Sequence, residues 1–113
     1  MLNKRNRISD KQIIQKLLTK GNLYRDKYFI FKYIRYDSTN SEFAVIVSKK
    51  ISKKAVKRNK IRRQVFEAIR LNLNLTSNLN AVIIAKTSVQ EVKYEKINES
   101  IVQFFNQIKL HEK

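Results

Sequence analysis

The sequence predicts an α+β protein in which helices pack on one β-sheet. Three segments repeat apolar residues at helical spacing, and three short runs between them are rich in aromatic or β-branched residues. Their order is helix, two strands, helix, strand, helix, with no internal repeat and no proline. Such an alternation favours a sandwich of helices on a sheet, because each element must cover an apolar face. With 113 residues there is room for one core, so we expect a single domain over residues 1–113.

The first helix is predicted to begin near Ser9 and to end at Gly21. Ser9 and Gln12 have the spacing of a capping box, in which two side chains satisfy the free N–H groups of a helix start. Glycine is a common residue at a helix end. The apolar stripe between these signals consists of Ile13, Ile14, Leu17 and Leu18.

Two strands should follow and pair as a hairpin. Residues 28–36 alternate between two faces, residues 37–41 form a cluster of turn-forming side chains, and residues 43–47 are again apolar. One face of the first strand would carry Phe29, Phe31 and Tyr33, and the other Tyr28, Ile30, Lys32 and Ile34.

A strongly basic helix comes next, from about Lys53. Nine of the fifteen residues from Lys49 to Arg63 are Lys or Arg, and no carboxylate interrupts them. The formal charge of the chain is +16, a repulsion that an anionic partner would relieve. Nucleic acid is the favoured partner. The buried stripe of this helix is predicted at Ile61, Val65, Ala68 and Ile69.

The last third of the chain supplies a loop, a strand and a helix. The Asn-rich stretch Asn72–Asn80 is predicted to be the loop, and Ala81–Ala85 a strand that is covered on both faces. The final helix has the clearest spacing, with apolar side chains at Tyr94, Ile97, Ile101, Phe104, Phe105 and Ile108.

The basic charge could also arise without any binding partner. A compositional bias toward Lys, Asn and Ile would raise the lysine count, and a charged helix face is often simply solvated. The basic residues nevertheless cluster at residues 4–7 and 49–63, whereas most of the glutamates fall in the last third. Blocks of like charge repel one another, so clustering favours a binding role.

No residue pattern for catalysis by the protein is present. Cysteine is absent, the nine carboxylates are spread over different elements, and the one histidine, His111, is close to the carboxyl end. We therefore predict no catalytic and no metal-ligating residues in the polypeptide. A single glycine excludes a phosphate-binding glycine loop. No apolar run is long enough to span a membrane, and we expect a cytoplasmic protein that binds neither membrane nor DNA.

The stretch Ser48 to Glu67 resembles the signature of the bacterial ribonuclease P protein component. Further matches are the basic segment at residues 4–8, Gly21, the strand at Phe29 and the strand at residues 82–86. The resemblance covers nearly the full length. The matching pieces of the signature are Lys49-Lys50-Ile51, Ala55-Val56, Arg58-Asn59 and Arg62-Arg63.

The resemblance implies a small basic subunit of an endoribonuclease whose catalytic RNA carries the active site. Together they would remove the 5′ leader of precursor tRNA, with Mg²⁺ held mainly by RNA and none assigned to the protein alone. The implied fold is of the ribosomal protein S5 domain 2-like type, α-β-β-(β)-α-β-α. In it the basic helix makes an uncommon left-handed crossover between parallel strands, which the general preference for right-handed crossovers would not predict.

In this family the basic helix faces the catalytic RNA. Arginine forks can bridge two phosphate oxygens, the Asn amide offers a donor and an acceptor, and lysines act as point charges. The RNA-binding residues so implied are Arg5, Arg7, Lys49, Lys50, Lys53, Lys57, Arg58, Asn59, Lys60, Arg62 and Arg63.

The family also implies a cleft between the sheet and the first helix that receives the single-stranded leader. Phe29, Phe31 and Tyr33 are candidates to stack on its bases, although core packing explains aromatic residues on a strand equally well. Lys32 occupies the other strand face, so the face that lines the cleft stays open. Many relatives carry Phe on the first helix, where this chain has Ile14 and Leu18.

The main alternative function is a ribosomal or ribosome-associated RNA-binding protein without a nuclease role. Such a protein would share the size, charge and α+β class. A duplex-DNA binder is disfavoured because the basic helix has no clear helix-turn-helix partner. A nuclease made of protein alone is disfavoured by the missing catalytic cluster.

Overall fold

A computed structural model of the chain describes residues 2–35, 40–76 and 78–110. It confirms the predicted α+β sandwich. Short 3-10 turns lie at Lys4–Asn6, Leu73–Leu75 and Thr87–Val89. The predictions that concern Tyr36, residues 37–39 and His111 lie outside the described residues. The helices and strands are α1 (Lys11–Lys20), β1 (Asn22–Arg25), β2 (Phe29–Arg35), β3 (Glu42–Ile46), α2 (Ala55–Leu71), β4 (Leu79–Ala85) and α3 (Tyr94–Leu110).

The four strands form one sheet in the order β1-β2-β4-β3, so the predicted hairpin of β2 and β3 is wrong. Strand β4 lies between them, antiparallel to β2 and parallel to β3. Its residues are the most apolar of the sheet, and the central position buries both of its faces. Helix α2 connects the parallel strands β3 and β4, which confirms a crossover there. The left-handed sense of that crossover stays a prediction.

Strand β1 has no counterpart among the strands predicted from residue patterns, although the fold implied by the resemblance allows a third strand before the basic helix. It pairs antiparallel with β2, with Asn22 opposite Tyr33 and Arg25 opposite Ile30. Three of its four residues are exposed, so it lacks the apolar alternation by which a half-buried strand is predicted.

The sheet has a different layer on each face. Helices α2 and α3 cover one face, where Phe31, Phe43 and Ile83 belong to the larger core. Helix α1 covers the other face, where Leu17 and Val82 belong to a smaller core. The sheet therefore separates the surface around α2 from the surface around α1.

Helix α1 begins one residue later than predicted. Asp10, and not Ser9, is the N-cap: its Oδ1 accepts a hydrogen bond of 2.8 Å from the backbone N–H of Gln12. The predicted end at Gly21 is confirmed, and its backbone N–H donates to the carbonyl oxygen of Leu17 at 2.9 Å. The φ angle of Gly21 is an ordinary −70°. Glycine fits here because a Cβ atom would collide with that same carbonyl oxygen.

Candidate nucleic-acid interface

Helix α2 turns its apolar side into the core and leaves its basic side at the surface. The predicted stripe of Ile61, Val65, Ala68 and Ile69 is buried, and Phe66 is buried beside it. Because the core uses these positions, the charged positions of the first three turns remain at the protein surface. We call them the cationic surface of α2: Lys57, Arg58, Lys60, Arg62 and Arg63.

Two arginines of this surface are held by hydrogen bonds within the protein. Arg58 donates from Nη1 to the backbone carbonyl of Ser52 at 2.8 Å, and Arg62 donates from Nη1 to Oδ1 of Asn59 at 2.7 Å. A guanidinium has five N–H donors, so one such bond orients the group and leaves donors for a partner. Arg58 and Arg62 are half-buried, whereas Asn59 is exposed. All three lie on the same flank of α2.

The turn before α2 keeps its lysines in solvent while its backbone is anchored. Lys49, Lys50 and Lys53 are exposed. Between them Ile51 is 3% exposed and belongs to the larger core, and its carbonyl accepts a hydrogen bond from the side chain of Gln90. The lysines therefore extend the cationic surface of α2 from a turn whose backbone is anchored.

The amino-terminal basic segment lies along the outer edge of β3. Arg7 forms an isolated parallel bridge with Phe43, and the backbone N–H of Ile8 donates to the carbonyl of Phe43 at 2.8 Å. Arg5 is exposed and Arg7 is half-buried. Strand β3 thus has Arg7 beside its start and the lysine turn beyond its end, so one strand connects the two basic segments.

The first carboxylate of α2, Glu67, follows the residues of the cationic surface in sequence. Glu67 pairs with Arg70, and the hydrogen bond from the Arg70 guanidinium holds the pKa of the Glu67 carboxyl below its usual range. The same contact raises the pKa of Arg70. Residues 55–66 carry no carboxylate. The first three turns of α2 therefore carry positive charge that no carboxylate of the same turns balances.

A second candidate surface lies where α1 meets the sheet, at the position predicted for the leader cleft, and we call it the α1 cleft. Ile14 and Leu18 of α1 are half-buried against the smaller core. Lys32 is half-buried on β2 and paired with Val82 of that core, so it shares the face of α1. The structure therefore brings together Ile14, Leu18 and Lys32. Other half-buried aliphatic side chains packed there are Ile13, Ile34, Ile46 and Ile84.

Phe29 and Phe31 are core residues, and the prediction that they stack on bases is wrong. Both are 0% exposed. The ring of Phe31 stacks on that of Phe104 with centroids 4.2 Å apart. Tyr33 is half-buried on the same sheet face, and its ring meets Phe104 edge-on at 5.5 Å. These three rings face α3 and not α1, as the core-packing alternative required.

Within the described residues, no three His, Cys, Asp or Glu side chains form a group that could hold a metal ion. No helix of that part of the chain is long and apolar enough to cross a membrane. The interface also contains two residues that no sequence motif indicated, namely Ser52 and Gln90, which position the basic turn. Neither stands in a recognisable pattern, because Ser52 acts through its backbone carbonyl and Gln90 through a contact between segments far apart in sequence.

The fold and the site define a small α+β protein that presents a cationic helix, part of a crossover between parallel strands, at its surface. The family model for ribonuclease P matches residues 2–109. A ribonuclease P protein component from Pseudanabaena sp. is 33% identical over 104 residues, which is 89% of either chain. One from Rickettsia canadensis is 34% identical over 79% of this chain and 78% of its own. The chain belongs to the ribonuclease P protein family.

Solved structures agree on the fold. An RNase P protein from Thermotoga maritima matches with a TM-score of 0.83 at 20% identity, over 91% of this chain and 97% of its own. A Staphylococcus aureus RNase P protein mutant with defective mRNA degradation activity matches with a TM-score of 0.85 at 22% identity, over 94% of this chain and 90% of its own. These likenesses concern the arrangement of helices and strands.

Proposed function

We propose that this chain is the protein subunit of a ribonuclease P, which binds a catalytic RNA and assists removal of the 5′ leader from precursor tRNA. The observation that carries the proposal is the cationic surface of α2, which is free of carboxylates on a helix whose apolar side is used by the core. Membership of the ribonuclease P protein family supplies the RNA partner. The ribosomal alternative has no support from the related proteins.

The catalytic RNA would bind to the cationic surface of α2, the preceding lysine turn and the amino-terminal segment. Arg58, Arg62 and Arg63 suit phosphate contacts because a guanidinium donates two parallel hydrogen bonds. Asn59 would add a base or sugar contact while it orients Arg62. The remaining members contribute charge and counterion release: Arg5, Arg7, Lys49, Lys50, Lys53, Lys57 and Lys60.

The leader would occupy the α1 cleft. Ile14 and Leu18 offer aliphatic surface, and Lys32 offers a positive charge among half-buried neighbours. Aliphatic contacts carry no hydrogen-bond pattern, so leaders of different sequence would be held alike. Phe29, Phe31 and Tyr33 have no part in this site because they face α3.

Bond cleavage would belong to the RNA. RNA phosphates of the holoenzyme would hold most of the Mg²⁺, which would supply the activation of water for phosphodiester hydrolysis. The protein would contribute affinity for precursor tRNA and reduce repulsion between two RNA molecules. We expect this assembly in the cytoplasm.

Direct binding to the cognate catalytic RNA tests the proposal. The full-length chain should bind that RNA more tightly than a structured control RNA of equal length, and hydroxyl-radical footprinting should show a discrete protected region. Equal affinity for both RNAs, without a discrete footprint, would show that the cationic surface binds polyanions without specificity. That result would reject the proposal.

A further inference from the structure

A groove lies between α2 and the segment that leads into α3, away from the flank that carries Arg58 and Arg62. It encloses about 670 Å³, within the range of pockets that hold small ligands. Lys57, Lys60 and Gln64 line it from α2, and residues 89–95 line it from the opposite side. We call it the α2–α3 groove.

The two flanks of α2 are separated by helical geometry. At about 100° per residue, Lys57, Lys60 and Gln64 share one flank, which faces α3, while Arg58 and Arg62 share the other. None of the groove-lining residues of α2 belongs to the Arg58 flank. RNA bound along the exposed crest of α2 would therefore pass directly beside the groove.

The charge of the groove suits one phosphodiester. Lys57, Lys60 and Lys93 contribute three positive charges and Glu91 and Glu95 two negative ones, a net charge of one. An RNA duplex would bring many phosphates against the two glutamates. A single unpaired nucleotide brings one phosphate, and its base and ribose offer N–H and O–H donors that the carboxylates can accept.

Tyr94 gives the groove a platform and an unused polar group. It lines the groove beside Ile61 and Val92, and its hydroxyl oxygen is buried without a hydrogen-bond partner. Burial is the main cause that raises the pKa of Tyr94, and the charge of Glu67 is the second. The hydroxyl is therefore neutral and can donate a hydrogen bond. Glu67 and Tyr94 also line one shallow recess beside the groove.

We propose that the α2–α3 groove binds a single unstacked nucleotide of the RNA that α2 contacts. The base stacks against Tyr94 and the apolar floor, Gln64 bonds to its edge, and the lysines contact its phosphate. Aromatic platforms with polar edges are the usual means of holding unstacked RNA bases. This inference rests on the proposed function, since it takes the catalytic RNA as the ligand.

The test measures the affinity of the full-length chain for the cognate catalytic RNA, together with chemical probing of unpaired nucleotides. Tyr94→Leu should weaken binding about tenfold, as expected for loss of one stacked base. Tyr94→Phe, which keeps the ring, should retain most of the affinity. In the wild-type complex one unpaired nucleotide should be protected from base-specific reagents, and Tyr94→Leu should expose it while the rest of the footprint persists.

Lys93→Ala and Lys96→Ala form a matched pair, because both lysines are exposed and only Lys93 lines the groove. Lys93→Ala should weaken binding and Lys96→Ala should not, a comparison that holds even if Tyr94→Leu fails to fold. Wild-type affinity of the Tyr94 and Lys93 variants, or protection of a paired segment in place of one unpaired nucleotide, would overturn the inference. If Arg58→Ala still weakens binding in that case, the proposed function survives; if no variant affects binding, both fail.

Discussion

The Asn6 side-chain amide donates a hydrogen bond of 2.8 Å to the backbone carbonyl of Ser41. Asn6 is 8% exposed and Ser41 is 5% exposed, so the bond is shielded from water. The Ser41 hydroxyl also accepts from the backbone N–H of Leu79 at 3.2 Å. The amino-terminal basic segment is thereby tied to the starts of β3 and β4, which fixes where Arg5 and Arg7 lie.

Asn6→Ala should lower the free energy of unfolding by about 1–3 kcal/mol, since a buried carbonyl loses its partner. Urea denaturation measures this change. Asn3→Ala is the control, because Asn3 is exposed and its side chain makes no capping bond. Equal stability of the two variants would show that the Asn6 bond does not hold the segment.

Substitutions of Phe31 and Lys32 should have opposite effects on stability and on leader affinity, because the two side chains lie on opposite faces of the sheet. Phe31→Ala should cost about 3–5 kcal/mol of stability through the cavity it leaves. The milder Phe31→Leu should leave leader affinity within about twofold of wild type, whereas Lys32→Ala should reduce it through the lost charge. Fluorescence titration of the holoenzyme with leader-labelled precursor tRNA measures both. The reverse pattern would indicate that the leader binds on the sheet face that α3 covers.

Replacement of Arg58 and Arg62 by Ala should weaken assembly with the catalytic RNA and flatten its salt dependence. Each lost phosphate contact should reduce the slope of log K against log salt by about 0.7–0.9. Filter binding at several potassium concentrations gives the slope. Arg25→Ala, an exposed arginine on β1, should leave it unchanged. A slope equal to wild type in the double variant would mean that these arginines do not meet phosphate.

Gly21→Ala should destabilise the protein although Gly21 has an ordinary φ angle. The added Cβ would collide with the carbonyl oxygen of Leu17, and relief would require the end of α1 to shift. We expect a loss of about 1–3 kcal/mol, the usual cost of overpacking. Thermal unfolding measures it, with the exposed Asn22→Ala as a neighbour control. Unchanged stability would show that the α1 end moves freely.

The helices could be predicted from the sequence because their apolar stripes are local patterns. Ile61, Val65 and Ile69 identify the buried side of α2 without reference to other elements. Strand partners could not be predicted in this way, since the insertion of β4 between β2 and β3 depends on contacts between residues far apart in sequence. Strand β1 has too few buried residues to leave a pattern.

The candidate site could likewise be predicted only where it depends on local sequence patterns. The basic character of α2 is local, and the exposure of Lys57, Lys60 and Arg63 agrees with it. The alternation along β2 was also local, but which face meets α1 was not. Phe104 of α3 decides this, because it covers the Phe31 face.

Cleavage of precursor tRNA at low magnesium, with cognate catalytic RNA and the purified chain, tests the central claim most directly. The RNA with the chain should release the 5′ leader faster than the RNA alone, and the stimulation should depend on leader length. The chain without RNA should release nothing. An unchanged rate on addition of the chain, or cleavage by the chain without RNA, would contradict the account.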